Sequence, residues 1–366
     1  MKFTIDKDLF SEKLTIASRF TSNKVSSIAS LQGVLLKIGG KKLSFYATNL
    51  STFYTTSIEL KDEQEETQVL IDPKKVLEFI HFMPGGSLDI SLTQKQITLQ
   101  IGKTKGNFPI SLESDFPFPP EIMEKPQKIN TELLQNELPL VLFSASSDDT
   151  RPVLTGVNFL SADSELLIAA TDGFRLSVLK EKKIGDFPSM IIPADFLQEV
   201  IRYMKDEKEV RFSFSAEEKI VLFSAGDDAF YSRLIEGDYP PFERVIPAET
   251  KTTVTIDRAE LQRNIKLISV FARDFSSVVV CEFSDNGLII RPKKEGNEEN
   301  TAFQEVGFSG ESQTIAFNYK FVLEVLSALG GKEITIEILR PDAPAVFRSQ
   351  EHSSFMHVIM PVRIQE

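Results

Sequence analysis

The chain has 366 residues, 42% of them hydrophobic, a formal net charge of −12 and a single cysteine. One cysteine excludes an intramolecular disulfide framework and fits a reducing cytoplasm. The N-terminus lacks the apolar core of a secretory signal, and no apolar run approaches membrane-spanning length. A net negative charge argues against nucleic acid only as a sum; the distribution of charge decides, so one basic face on an acidic chain stays open.

The chain repeats itself. Phe3-Thr4-Ile5-Asp6-Lys7-Asp8-Leu9 returns as Lys128-Ile129-Asn130-Thr131-Glu132-Leu133-Leu134 and as Thr255-Ile256-Asp257-Arg258-Ala259-Glu260-Leu261. A second phrase, Leu70-Ile71-Asp72-Pro73-Lys74-Lys75-Val76, returns as Ile191-Ile192-Pro193-Ala194-Asp195-Phe196-Leu197 and as Ala316-Phe317-Asn318-Tyr319-Lys320-Phe321-Val322. The order is kept and the period is roughly 120–125 residues, far above solenoid repeats, so three similar domains stand in a row. Their expected bounds are 1–124, 125–247 and 248–366.

In chain order, each repeat opens with a short strand and a helix. Asp6 is positioned to cap the first helix, with Phe10, Leu14 and Ala17 as its buried stripe and Ser11, Thr15 and Ser18 outside. A strand ends at Thr48-Asn49. A second helix follows, with Val76, Leu77 and Ile80 inward, and a hairpin pairs Leu88–Leu92 with Ile97–Ile101. In the second repeat the first helix is acidic (Glu132, Glu137) and broken by Pro139. A strand runs into the turn Thr171-Asp172-Gly173. Leu197, Val200, Ile201 and Met204 face inward on the second helix, and Val210–Phe214 pairs with Ile220–Ser224. In the third repeat Asp257 caps a helix reaching about Val270, with Leu261, Ile265 and Ile268 buried; Ile334–Ile338 pairs with a strand around Val346. Phe116-Pro117-Phe118-Pro119-Pro120 and Tyr239–Ala248 read as linkers. The fold class is α+β, two helices on antiparallel sheet in each repeat. The 29 Phe and absent Trp mark the aromatics as core filler, and Cys281 reads as a small buried hydrophobe after Val278-Val279-Val280.

Enzyme chemistry finds little support. Asp148-Asp149, which Asp172 could join, is a candidate carboxylate pair for acid–base or metal work, and loop solvation with turn capping accounts for it. Gly85-Gly86 and Gly330-Gly331 precede strands rather than helices, so neither is a phosphate loop. His352 and His357 are five apart in a region read as strand, which puts them on opposite faces; with His81 they make no zinc set. No metal or cofactor is expected.

Several phrases carry a resemblance: Met1-Lys2-Phe3-Thr4, Ala170-Thr171-Asp172-Gly173-Phe174-Arg175-Leu176, Gly237-Asp238-Tyr239-Pro240 leading to Arg244-Val245-Ile246-Pro247, Phe317-Asn318 leading to Val322-Leu323-Glu324-Val325-Leu326, and Met360-Pro361-Val362-Arg363. In this order, with the triple repeat, the chain resembles the bacterial DNA sliding-clamp family, the β subunits of DNA polymerase III, over essentially its whole length. The resemblance implies a head-to-tail homodimeric ring of six clamp domains, helices inside and antiparallel sheets outside, encircling duplex DNA without reading its sequence.

Carried over by position, the DNA-facing residues are Lys24, Lys74, Lys75, Arg151, Arg202, Arg273 and Lys320. The middle repeat departs from the family: Ala194-Asp195 begins its second helix where members often carry basic residues, and Pro152 and Val153 stand where some carry tyrosines. A clamp-like scaffold that does not encircle DNA is therefore the alternative. The resemblance also implies a pocket for the Gln-Leu-x-Leu-Phe-like tails of the polymerase, clamp loader and repair proteins. Its matched positions are Leu154, Thr171, Gly173, Phe174, Arg175 and Leu176, then Pro240, Arg244 and Val245, then Asn318, Phe321 and Ala345. Val358, Met360, Pro361, Val362 and Arg363 complete it, and Gln365 and Glu366 extend past the family's usual end. Phe174 replaces the His of some members. Ring closure maps to the strand Asn107-Phe108-Pro109-Ile110 and the helix end Val270-Phe271; an open strand edge wants a partner, although Pro109 removes one donor from it.

Overall fold

The computed structural model describes residues 1–22, 28–112, 115–162, 164–182, 188–273, 276–293 and 300–363; Lys24, Gln365 and Glu366 lie outside them. The first repeat runs β1 (Lys2–Asp6), α1 (Lys7–Arg19), β2 (Val34–Thr48), β3 (Thr52–Ile71), α2 (Pro73–His81), β4 (Ser87–Leu92), β5 (Gln96–Ile101) and β6 (Thr104–Ser111). The second begins with β7 (Gln127–Ile129), a widened π turn over Leu133–Glu137 and α3 (Leu138–Leu142). It continues through β8 (Gly156–Ala162), β9 (Glu165–Thr171), β10 (Arg175–Lys182), β11 (Met190–Pro193) and α4 (Ala194–Met204), and closes with β12 (Val210–Ser215), β13 (Ile220–Ala225) and β14 (Asp228–Arg233). The third comprises β15 (Thr252–Asp257), α5 (Arg258–Ala272), β16 (Val278–Ser284), β17 (Gly287–Pro292), β18 (Ala302–Gln304), β19 (Gly307–Gly310), β20 (Gln313–Asn318), α6 (Tyr319–Ala328), β21 (Glu333–Ile338), β22 (Ala345–Ser349) and β23 (Phe355–Ile359).

Local chemistry sets the helix starts. The Asp6 carboxylate accepts the Leu9 amide at 2.9 Å and Asp257 accepts Glu260 at 2.8 Å. Asp72 and Asn318 each accept the amide two residues on, at 3.0 Å. These side chains satisfy amides that have no partner inside the helix. In the middle repeat neither helix has a side-chain cap. There Pro139 has no N–H to give Gln135, and its ring crowds that carbonyl. The chain responds by widening the preceding turn, so that the Leu138 amide bonds Leu133 O, five residues back. The expected break at Pro139 is thus a change of helical pitch rather than an end.

The predicted stripes are buried: Phe10, Leu14 and Ala17 on α1, and Leu261, Ile265 and Ile268 on α5. Leu77 and Ile201 are only half-buried, while Phe196, outside the expected stripe of α4, is buried. All three hairpins form in the expected pairing. His352 sits in the turn before β23, not in a strand, and His357 is inside β23. Neither proposed linker is loose. Phe116 is buried with Leu35 and Leu70, and Phe118 stands edge-on to Tyr46 at 5.0 Å. Phe242 is buried with Ala169, Leu176, Val178, Val346 and Val358, and Tyr239 and Ile246 pack against that cluster.

The chain divides into two compact units. Met1–Thr131 with Asp206–Leu234 holds a ten-stranded sheet of order β1-β4-β5-β6-β3-β14-β13-β12-β7, with β2 on β3. Here β14 of the second repeat pairs antiparallel with β3 of the first, from Ala229↔Thr55 to Ser232↔Thr52. Glu132–Lys205 with Ile235–Glu366 holds a nine-stranded sheet, β11-β8-β9-β10-β23-β22-β21-β15-β19, and a four-stranded one, β18-β17-β16-β20. In this unit β23 of the third repeat pairs antiparallel with β10 of the second. Both junctions follow one rule: the last strand of a repeat's closing sheet joins the strand that follows the middle turn of the repeat before it.

Candidate functional site

The β10–β23 junction builds the candidate groove. Along it Leu176 pairs with Val358, and Val358 with Val346. Successive strand residues alternate faces, so these three share a face and pack with Ala169, Val178 and Phe242. Arg175 and Ala345 share the next row, across Ile359, and lie on the opposite face.

The turn between β9 and β10 is fixed by its own polar groups. Asp172 accepts the Phe174 and Arg175 amides at 2.9 and 3.0 Å, and the Thr171 hydroxyl donates to Arg175 O at 2.5 Å. The Thr171 amide donates to the Tyr239 hydroxyl at 3.0 Å. Burial, with the Asp172 charge nearby, raises that phenol's pKa above its ordinary value. Gly173 has φ +92°, a conformation that disfavours any side chain. The C-terminal segment is tied on by Met360 N to Phe174 O at 2.9 Å and Val362 N to Ala316 O at 2.8 Å.

What this frame presents is apolar. Phe174 is 59% exposed, Val245 40% and Met360 37%. Pro240, Arg244 and Arg363 are also exposed, Pro361 and Val362 are half-buried, and Leu154 is buried in a short 3-10 turn. Val362 packs on the separate cluster of Val278, Val280 and Ala316. Asn318 spends its side chain on the α6 cap. The Arg175 guanidinium lies on the face opposite Leu176: it bonds Asp172 at 3.1 Å, pairs with Glu324, and stacks on Phe143 and Phe321 at 5.4 and 4.7 Å. Phe143, Glu324, Phe242 and Val346 were not legible as site residues, because each meets the site only through pairing across sequence-distant elements.

The candidate DNA-facing cations gather at helix ends. Lys74 and Lys75 occupy the first turn of α2, and Lys320 the equivalent turn of α6. Arg202 is in the last turn of α4, bonded to Glu199 at 2.9 Å, and Arg273 caps α5. In α4 the first-turn position belongs to Asp195. Arg151 stands elsewhere: its Nη1 would lie 3.4 Å from a Cβ on Gly173, at the rim of the groove, and its Nε lies 3.4 Å from Asp148. Asp148 is engaged by the Thr150 hydroxyl and amide at 2.7 and 3.0 Å; these bonds, with Arg151 beside them, hold its carboxyl below the usual range. The carboxylates Asp148 and Asp172 are thus turn caps. Among the described residues no group of His, Cys, Asp and Glu is placed to hold a metal ion, and no helix is long and apolar enough to cross a membrane.

Among the closure candidates, Phe108 lies against Phe79 at 5.4 Å between ring centres. Among the described residues Thr104–Pro109 of β6 pairs on one side only, with β5; Ile110 and Ser111 also pair with β3. Val270 and Phe271 are exposed together with Leu267 one turn back on α5, and Phe303 of the edge strand β18 is 55% exposed beside Ile289. Leu267, Ile289 and Phe303 went unread in the sequence because apolar residues beside other apolar residues, as in Leu267-Ile268, Leu288-Ile289-Ile290 and Ala302-Phe303, look like core.

Comparison with known proteins finds matches to three domain families in order. Residues 1–120, 128–241 and 243–363 match, in turn, the N-terminal, central and C-terminal domains of the DNA polymerase III beta subunit. The chain is 28% identical over 387 aligned residues to the beta sliding clamp of Bacillus subtilis (strain 168), covering 99% of this chain and 100% of that one. It is 28% identical over 380 residues to that of Staphylococcus aureus, covering 99% of each. The crystal structure of the Bacillus subtilis DNA polymerase sliding clamp superposes with a TM-score of 0.90 at 27% identity over 100% of both chains. The beta subunit of Thermotoga maritima shares the fold with a TM-score of 0.91 at 24% identity over 100% of both chains. With all three of its domains matched in order, this chain belongs to the bacterial DNA polymerase III beta-subunit, or sliding-clamp, family.

Proposed function

We propose that the chain is a processivity factor: two copies close head to tail around duplex DNA and hold the replicative polymerase, clamp loader and repair proteins by their Gln-Leu-x-Leu-Phe-like tails. In this reading, as a member of the beta-subunit family, the chain acts by holding DNA and partners rather than by catalysis. The observation that carries the reading is the exposed apolar set Phe174, Val245 and Met360 over a floor of Leu176 and Val358. Apolar walls with a few polar groups at the rim are what an apolar peptide tail requires.

Ring closure draws support from the junction rule. Within one chain, the last closing strand of the second and third repeats (β14, β23) joins the previous repeat. The first repeat's counterpart, β6, pairs with no strand of another repeat among the described residues, and the third repeat's counterpart acceptor, β18, is an edge strand that carries the exposed Phe303. Pairing β6 of one copy with β18 of another satisfies both and closes a cyclic dimer. Lys74, Lys75, Arg202, Arg273 and Lys320 are proposed as the sequence-independent phosphate contacts, with Arg151 shared between DNA and the groove rim. The proposed domain bounds remain 1–124, 125–247 and 248–366.

Two experiments test this. Once loaded, the protein is retained on circular DNA and runs off linear DNA; equal loss from both rejects encirclement in favour of a scaffold. A Gln-Leu-x-Leu-Phe-like peptide binds, and deleting Met360 through Glu366 abolishes binding while the chain stays folded; unchanged affinity rejects the groove.

A further inference from the structure

Beside the candidate groove, a single enclosed charge ties the second repeat to the third. Arg175 is the only cation among the described residues whose side chain is as little as 9% exposed while touching four groups at once: Asp172 and Glu324 by ion pairs, Phe143 and Phe321 by stacking. Asp172 and Phe143 flank it from the central repeat. Phe321 and Glu324 come from α6 of the third repeat and, three residues apart, present one face of that helix. A planar guanidinium suits this enclosure, since it can stack and form directed bonds together, which an ammonium cannot.

The backbone of the same residue belongs to the groove. Arg175 O accepts the Thr171 hydroxyl, and Arg175 N donates to Asp172. The next residue puts Leu176 on the floor, and the residue before receives the Met360 amide. The turn that displays Phe174 therefore hangs between α6 and the C-terminal segment. Glu324 is 47% exposed, so solvent and salt reach the far end of the clasp.

Resting on the groove reading above, we propose that Arg175 and Glu324 form an interdomain clasp that holds the 171–176 turn in its binding shape, making them positioning residues for the tail rather than contacts to it. Glu324 and Phe143 thereby join the determinants of peptide affinity without touching the peptide. Breaking the pair lowers the fraction of chains whose groove is formed, and the apparent affinity falls by that fraction.

The probe is a Gln-Leu-Ser-Leu-Phe peptide acetylated and amidated so that it has no charge, titrated calorimetrically into the full-length protein. An uncharged tail has no ion pair of its own to screen, so salt acts on its binding only through the protein. With the unsubstituted chain, affinity falls as NaCl rises from low to moderate concentration. Glu324→Gln binds on the order of tenfold more weakly at low salt and loses the salt dependence. Arg175→Lys with Glu324→Gln is no weaker than the weaker single variant, because both remove one interaction. Salt-independent affinity in the unsubstituted chain overturns the clasp without any substitution. So does a folded Glu324→Gln that binds as the original does, or losses that simply add. If the unsubstituted chain does not bind the peptide at any salt concentration, the groove reading itself fails, an outcome separate from failure of the clasp.

Discussion

The Tyr54 hydroxyl donates to Asp228 Oδ1 at 2.6 Å, across 174 residues of sequence, while Lys13 Nζ lies 2.7 Å from the other oxygen. The three side chains pin the first repeat's helix α1 and strand β3 to the second repeat's β14. Tyr54 is fully buried between Phe20 and Phe230, and burial, with the Asp228 charge next, raises its pKa far above the ordinary phenol range. Tyr54→Phe removes one charge-assisted bond and should cost about 1–3 kcal/mol. Asp228→Ala also strands Lys13, which is 13% exposed, and should cost about 3 kcal/mol or more. Urea unfolding of the two variants checks the order; Tyr54→Phe being the more damaging would show that the carboxylate is not the hub.

A second prediction concerns the widened turn. Glu137 faces Glu181 there, and its Oε2 is enclosed without a hydrogen-bond partner. Desolvation first, then the Glu181 charge, pushes its carboxyl up to about 7. A raised carboxyl pKa means the folded chain holds a proton the unfolded chain has released. Stability therefore falls as pH rises from about 4.5 to about 7, then levels. Because only part of the side chain is buried, solvent screening reduces the effect to about 1 kcal/mol. Glu137→Gln should abolish that descent, as followed by thermal unfolding at pH 5 and pH 8.

His357 predicts the opposite slope. It is buried among Phe143, Phe347 and Phe355, with Ser177 Oγ 2.9 Å from Nδ1 and Nε2 without a partner. Burial, then the Arg175 charge, pushes its pKa down to about 3. The folded chain excludes a proton that the unfolded chain takes up below about 6.5, so stability is full above that pH and is lost on acidification, by up to about 1.4 kcal/mol per pH unit. His357→Leu leaves Ser177 with its Ser144 partner at 2.8 Å and should flatten the acid limb of the unfolding midpoint plotted against pH.

The fourth prediction is oligomeric. Phe303→Asp on β18 and Phe108→Asp on β6 should each give a folded monomer by sedimentation velocity, although the residues belong to different repeats. A dimer that survives either substitution removes that strand from the closure.

Much of the fold could be read from the sequence because its determinants are local. Asp6 and Asp257 cap helices three residues on, and the hairpins lie within a few residues of their turns. The apolar rim of the groove came from phrases in the chain. Its supports did not: Arg175 meets Glu324 across 149 residues, and Pro139 announces a disturbance without saying that the turn before it will widen. Phe303 and His357 show the limit most simply. Both sit in apolar strands, one exposed and one sealed, and only the sheet that forms around each decides which.

The two cross-repeat junctions differ in kind from the proposed third. At β3–β14 and β10–β23 the paired strands are links of one polymer, so a ruptured seam finds its mate at high effective concentration and heals. A seam between copies has no such tether, yet a dimer of this design has two of them, and each serves as the tether of the other. In such a dimer, opening one is a unimolecular event that need not scatter the subunits. In the proposed dimer, the two untethered seams between copies are therefore the joints expected to part first.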